Sequence, residues 1–270
     1  MNKKISKAYS NEEFLNSHEA RAIRVQCELT EPEVRLDSQQ IENTIVFFGS
    51  ARSKPLEIAQ AELDAFKMTI PQNDSLDSES SKELKRKESL VKLSKYYDEA
   101  VKLSSKLTHW TETQTESSKK YYVCSGGGPG MMEAANRGAS EANGKSVALG
   151  ISLPFEQGVN SFATPELSFE FHYFFLRKFY FLYHAKAVIV FPGGFGTMDE
   201  LFETLTLIQT KKLDKQMPIL LYGKEFWENL INFEHFINWG VISEKDLDLF
   251  SVVDDVDEAF SCITKFLSAE

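Results

Sequence analysis

"VIVFPGGFGTMDELFETLTLIQ", residues 188–209, opens as a short β-branched run, passes through Pro192 and the glycines 193, 194 and 196, and leaves with helical periodicity. Such a stretch predicts a buried strand that turns on glycines directly into a helix. Two more junctions of this kind lie upstream. They are "FFGSAR" (47–52) and "CSGGGPGMMEAANRGA" (124–139).

Outward from these junctions the chain alternates between strand and helix patterns. Strands are predicted at 45–49, 121–125, 146–151, 186–191, 218–222 and 249–253. Helices are predicted at 174–184, 198–211, 225–237 and 255–267. Short β then α units specify an α/β fold with a mostly parallel sheet covered by helices on both faces, a doubly wound arrangement. Between the first two strands, "KPLEIAQAELDAFKM" (54–68) and "LVKLSKYYDEAVKLSSKLTHW" (90–110) carry helical periodicity. The polar stretch "TIPQNDSLDSESSKE" (69–83) between them predicts a mobile loop. The chain divides into an N-terminal helical extension, 1–43, and an α/β domain, 44–270, with a helical and loop insertion at about 53–118. In the extension, "EEFLNSHEARAIRVQCEL" (12–29) reads as one or two helices packed on the domain or on a partner chain.

Composition excludes several classes. A formal charge of −10 over 270 residues, with no sustained basic stripe, argues against a nucleic-acid partner. No run approaches a membrane span, and the lysine-bearing N-terminus has no apolar run behind it to make a secretory signal. Cys27, Cys124 and Cys262 share no metal-like spacing and suit free thiols in a reducing cytoplasm.

Ligands of such sheets bind where strands end and helices begin, because helix N-termini expose backbone N–H groups there. Gly49 and Ser50, then Gly126, Gly127, Gly128 and Gly130, then Gly193, Gly194 and Gly196 predict a pocket lined by N–H donors. The dinucleotide fingerprint does not fit "GGGPGM", and no Lys-Ser or Lys-Thr follows either cluster to make a Walker loop. Thr197 and Glu200 stand at T-x-x-E, the spacing of a capping box, and the helix dipole favours acids such as Asp199 in a first turn. Against that local reading stands the segment 170–191, aromatic on nearly every helical face yet holding Arg177 and Lys178. A guanidinium between Phe174 and Phe181 calls for a partner in the pocket, and a phosphate, a nucleobase or Glu200 would each serve. Lys178 is expected to snorkel to the surface. His172 and His184 read as structural. A purine stacking on Tyr173, Phe174 or Phe155 stands as the alternative to those rings serving as core. The apolar 173–184 helix hints at an interface.

"CSGGGPGMMEAANRGA", "FFLRK" and "PGGFGTMDE", with the opening "TIVFFGSAR", resemble the motifs of the LOG (Lonely Guy) family, often labelled lysine decarboxylases, over about residues 44–265. The resemblance implies a Rossmann-like domain, a homodimer, and no metal or other cofactor. It also implies cleavage of the N-glycosidic bond of a nucleoside 5′-monophosphate, giving free base and ribose 5-phosphate. Carried over residue by residue, it makes Arg177 and Glu200 catalytic and gives Gly193, Gly194, Gly196 and Thr197 the 5′-phosphate. Glu133 then lies near the ribose, with Gly49, Ser50, the 126–130 glycines and Lys178 also among the substrate-binding residues. The chain departs from cytokinin-activating members at Leu176, Phe179 and Phe181, where methionines are frequent, and at Asp199-Glu200, where Glu-Glu is frequent. A non-catalytic nucleotide or cofactor binder, a carrier or sensor, is the alternative on the same fold. A decarboxylase would need a pyridoxal-phosphate lysine in a much longer chain, and Lys178 is the only lysine near a motif.

Overall fold

Every residue of β1 (Thr44–Phe48) is buried, as its unbroken apolar run requires of a central strand packed on both faces. In the computed structural model, which describes residues 7–70, 77–116, 119–153 and 158–269, β1 lies at the middle of a seven-stranded, all-parallel sheet. The others are β2 (Tyr122–Ser125), β3 (Ser146–Ile151), β4 (Ser168–Phe171), β5 (Ala185–Val190), β6 (Ile219–Tyr222) and β7 (Ser251–Val253). Their order, β4-β3-β2-β1-β5-β6-β7, makes the fold Rossmann-like. The chain builds outward from β1 to β4, then returns to the centre as β5. Strand order therefore reverses between β1 and β5, the place where such sheets open a crevice at their strand ends.

Alternation along the strands divides the core. Val46, Phe48, Val188 and Val190 face one layer, where Leu36, Leu176, Phe181 and Trp227 lie. Ile45, Phe47, Ala187 and Ile189 face the other, with Tyr97, Leu103, Met131 and Ile263. The helices of the chain are α1 (Glu12–Leu15), α2 (Arg21–Ser38), α3 (Leu56–Thr69), α4 (Ser78–Glu112) and α5 (Met131–Glu141). They continue with α6 (Phe174–Tyr183), α7 (Phe195–Gln209), α8 (Lys224–Leu230), α9 (Phe233–Asn238) and α10 (Val256–Leu267).

Several expectations need correction. The polar stretch expected to be a loop is helical from Ser78, because Asp77 caps α4 by accepting from the Ser80 backbone N–H at 2.6 Å. Residues 71–76 of that stretch lie outside the described residues, as does Phe155. The helix expected at 225–237 is two, since Asn232 accepts from the His235 backbone N–H and starts α9 afresh. The strand β4 was not expected. Its four residues alternate Phe169 and Phe171 inward with Ser168 and Glu170 outward, too short a pattern to stand out.

The N-terminal extension packs on this domain. Arg35 of α2 donates to the Ser168 carbonyl at 2.9 Å and lies 3.9 Å from the centre of the Phe169 ring. Glu28 accepts from the backbone N–H groups of His172 and Tyr173. Pro32 lies inside α2 and has no N–H to give the preceding turn, and the Tyr180 hydroxyl donates to the Leu29 carbonyl there at 2.5 Å. The helix thus covers the β4 edge, which would otherwise be open to pairing with another chain.

Candidate active site at the strand-order reversal

Three loops meet at the strand ends. The Phe191 N–H donates to the Phe48 carbonyl at 2.8 Å, the Ser50 N–H to the Pro192 carbonyl at 3.0 Å, and the Met131 N–H to the Ser50 carbonyl at 3.0 Å. Close approach is possible because Gly130 has φ +72° and no Cβ; an added Cβ would lie 2.3 Å from the Ser50 carbonyl oxygen. The β1, β2 and β5 exits are thereby locked against one another, and a cavity of about 730 Å³ opens over them. That size suits a small-molecule ligand.

Of the residues singled out in the sequence, Gly49, Ser50, Gly126, Arg177, Gly193, Gly194, Gly196, Thr197 and Glu200 line this cavity. Gly130 and Glu133 border a neighbouring chamber instead. Gly127 and Gly128 are buried behind it: their carbonyls accept from Asn160 Nδ2 at 2.9 and 3.2 Å, which fixes the loop from the rear. Glu133 accepts from the Tyr97 hydroxyl at 2.7 Å. Lys178 faces neither chamber. Nor does it snorkel: its ammonium donates to Asp199 Oδ2 at 2.8 Å and Glu203 Oε2 at 2.5 Å, tying α6 to α7. Burial pulls the Lys178 pKa down, but these hydrogen bonds together with the charges of Glu200 and Glu203 outweigh it and leave the group above its ordinary value.

The capping-box reading of Thr197 and Glu200 does not hold. Helix α7 starts three residues earlier than expected, with Gly194 as its N-cap and no side chain capping it. The N–H groups of Phe195, Gly196 and Thr197 form the first turn, where backbone donors have no partner within the helix. Nothing lies within 4 Å of where a Cβ would stand on Gly194 or Gly196, so the helix start opens into the cavity. Asp199 and Glu200 fall in the second turn, out of reach of a first-turn dipole effect.

Glu200 is only 8% exposed. Burial raises its carboxyl pKa to about 7, with Lys178 and then Arg177 pulling back the other way. Arg177 lies between two rings of its own helix, 5.1 Å from the centre of Phe181 and 5.9 Å from that of Phe174. Its guanidinium rests on Gly126, where an added Cβ would stand 2.9 Å from Nη2. One glycine of the triplet therefore makes room for the arginine. His172 lies outside the cavity, as does His184, whose Nε2 is 3.5 Å from Glu33 Oε2. Phe174 borders it, whereas Tyr173 does not.

The far wall comes from residues with no sequence signal. Leu93 of α4 and Phe226 and Leu230 of α8 close the cavity from elements distant in the chain. Among the described residues no group of His, Cys, Asp or Glu side chains could hold a metal ion, and no helix is long and apolar enough to cross a membrane.

Residues 132–263 match the family described as "Possible lysine decarboxylase", the label often given to LOG proteins. The match spans 132 of the 270 residues, just under half of the chain. The matched residues include Arg177, Lys178 and the whole PGGFGTMDE motif. No curated protein matches the sequence. Among solved structures, the X-ray structure of the protein TM1055 is 19% identical, with a TM-score of 0.47, over 83% of this chain and 99% of that one. A molybdenum cofactor binding protein from the phototrophic bacterium Rippkaea orientalis is 16% identical, with a TM-score of 0.41, over 62% and 88%. The molybdenum cofactor carrier protein from Chlamydomonas reinhardtii is 16% identical, with a TM-score of 0.43, over 85% and 99%. Likenesses this distant assign the chain neither a ligand nor an activity.

Proposed function

We propose that this protein is a phosphoribohydrolase that cleaves the N-glycosidic bond of a nucleoside 5′-monophosphate, AMP or an N6-modified AMP, to free base and ribose 5-phosphate. The observation that carries the reading is the meeting, in one cavity, of a buried Glu200 carboxyl, the Arg177 guanidinium and the uncapped start of α7. In this reading the first-turn N–H groups and Thr197 hold the 5′-phosphate, as helix starts do for anions. That grip is remote from the bond broken and supplies binding energy to position it.

The reaction adds water across the C1′–N bond. The ring oxygen of the sugar supplies electron density as the base departs, giving a cation-like sugar that a carboxylate beside C1′ stabilises. Ionised Glu200 fills that role and takes a proton from the attacking water, whose oxygen bonds to C1′. The departing base takes up the electron pair and a proton from solvent, Glu200 returns its proton to solvent, and Arg177 donates a hydrogen bond to the base. A carboxyl with a pKa of about 7 is matched to proton transfer at neutral pH.

We infer that the active form is a homodimer. Phe175, Phe179 and Tyr183 recur at helical spacing on α6 with 58%, 41% and 46% of their surface exposed, and Phe195 of α7 is 97% exposed beside them at the cavity lip. An aromatic face of this kind on two adjacent helices fits a second copy of the same surface. The three cysteines are free, which supports a reducing, cytoplasmic setting.

The test is product release from a panel of nucleoside 5′-monophosphates and the matching nucleosides, with Arg177→Ala and Glu200→Gln alongside. Free base and ribose 5-phosphate are expected from the wild type, reduced at least about a hundredfold in both variants. Binding without turnover of any substrate refutes the hydrolase and leaves the carrier or sensor.

A further inference from the structure

The cavity over α7 has a neighbour beyond the β1 exit. Ser50, Ala51, Arg52 and Leu93 border it and also border a second chamber of about 860 Å³ on their other side. The outer wall of that chamber is made by the insertion, with Ile58 of α3 and Leu90 of α4 giving it an apolar surface. The inner wall is the start of α5, at Pro129 and Gly130. Helix α4 is 35 residues long, or about 52 Å at 1.5 Å per residue. Its C-terminal part carries the residues that pack on the sheet, such as Tyr97 and Leu103, while its N-terminal part, paired with α3, stands over this chamber.

Charge around the shared wall is uneven. Lys54 and Arg86, on the rim of the second chamber, already hold Glu62 at 2.5 Å and Glu83 at 2.6 Å. Arg52 sits on the shared wall, and among the described residues its guanidinium has no ion pair or hydrogen bond. The loops that carry Arg52 and the α7 start are in direct contact through the Ser50 N–H to Pro192 carbonyl bond. Arg52 and the start of α7 also line the same cavity.

Two ligand-sized chambers on either side of a wall that carries an exposed guanidinium fit a ligand of two halves joined by an anion. We propose that the site takes nucleotides extended at the 5′-phosphate, of the class of diphosphate-linked dinucleotides. One nucleotide half occupies the α7 cavity, the bridging phosphates lie at Arg52, and the second ring-bearing half occupies the chamber built by the insertion. This rests on the nucleotide reading of the α7 cavity given above.

The test is isothermal titration of the full chain carrying Glu200→Gln, so that turnover does not interfere, with AMP, ADP and diadenosine 5′,5′-diphosphate. The dinucleotide is expected to bind at least tenfold more tightly than AMP, with ADP between them. Leu90→Trp, and independently Ser89→Trp at an exposed position on the same wall, fill the second chamber and should bring the dinucleotide to within about twofold of AMP. A dinucleotide that binds no more tightly than AMP overturns the proposal, as does an advantage that survives both tryptophans. If the dinucleotide binds and AMP does not, the two-chamber site stands and the monophosphate hydrolase reading falls. If AMP binds and the dinucleotide gains nothing, the reverse holds. If neither binds, both fall.

Discussion

Replacing Glu200 by Gln should stabilise the protein while disabling it. A carboxyl moved from an ordinary 4.5 to about 7 by burial is held in its neutral form by the fold, so ionising it in place works against folding. The raised value means that the stability Glu200 contributes is fully present below about pH 4.5 and is lost as pH rises through about 7. At about 1.4 kcal/mol per pKa unit, the loss by pH 8 is roughly 3 kcal/mol. Gln has nearly the same shape and no ionisation, so Glu200→Gln escapes it. The ligand-free variant should be more stable than the wild type by roughly 3 kcal/mol at pH 8, equivalent to about 6–10 °C in Tm for a chain of this size. At pH 5 the advantage should shrink to less than about 1 kcal/mol, because folded Glu200 is then already neutral. Urea denaturation of both proteins at pH 5 and pH 8 reads the difference directly. A variant no more stable at pH 8 than at pH 5, relative to the wild type, would show that the carboxyl is not desolvated, and the account of Glu200 as a tuned base would be wrong. Stability gained where activity is lost is what a strained functional group should show.

Four further outcomes follow from the same geometry. The kcat/KM of the wild type should rise with pH through an apparent pKa near 7, since Glu200 must be ionised to act as base; a profile that falls there would make it an acid. Lys178→Met removes the larger of the two cationic influences on Glu200, so that limb should move to higher pH; a profile that stays in place would refute the coupling. Gly126→Ala places a methyl group 2.9 Å from Arg177 Nη2 and 2.6 Å from Met132 Sδ, both ends of flexible side chains. It should lower kcat/KM about tenfold or more with a stability change of about 1 kcal/mol, measured by steady-state kinetics and thermal melts. Phe175→Glu and Phe179→Glu together should convert a dimer to a monomer in sedimentation velocity, and a wild type that sediments as a monomer would remove the dimer from the account.

The central strands were legible because burial on both faces leaves short unbroken apolar runs rich in β-branched residues, such as Ile45–Phe48 and Ala187–Val190, bounded by glycine turns. Arg177 was legible for a related reason: a guanidinium with aromatic neighbours three residues before and four after has to meet those rings on one helix face, and it does. Other features turned on competing local signals. T-x-x-E at Thr197 looks like a cap, yet glycines that leave an open floor let α7 begin at Phe195 instead. The polar run before Leu90 looks like a loop, yet Asp77 caps it and charged pairs such as Arg86 with Glu83 sustain the helix. Lys178 looked free to reach solvent because its carboxylate partners lie 21 and 25 residues away, on a helix whose orientation the sequence does not state. The far wall of the cavity has the same cause: Leu93, Phe226 and Leu230 are ordinary apolar residues until the sheet order brings their helices to one crevice.

The measurement closest to the central claim is a ¹H and ³¹P NMR time course of AMP incubated with the wild-type protein. The account predicts that the AMP signals give way to free adenine and ribose 5-phosphate in equal amounts, and that Glu200→Gln leaves them nearly unchanged over the same interval. AMP that binds at saturation and persists intact with the wild type would contradict it.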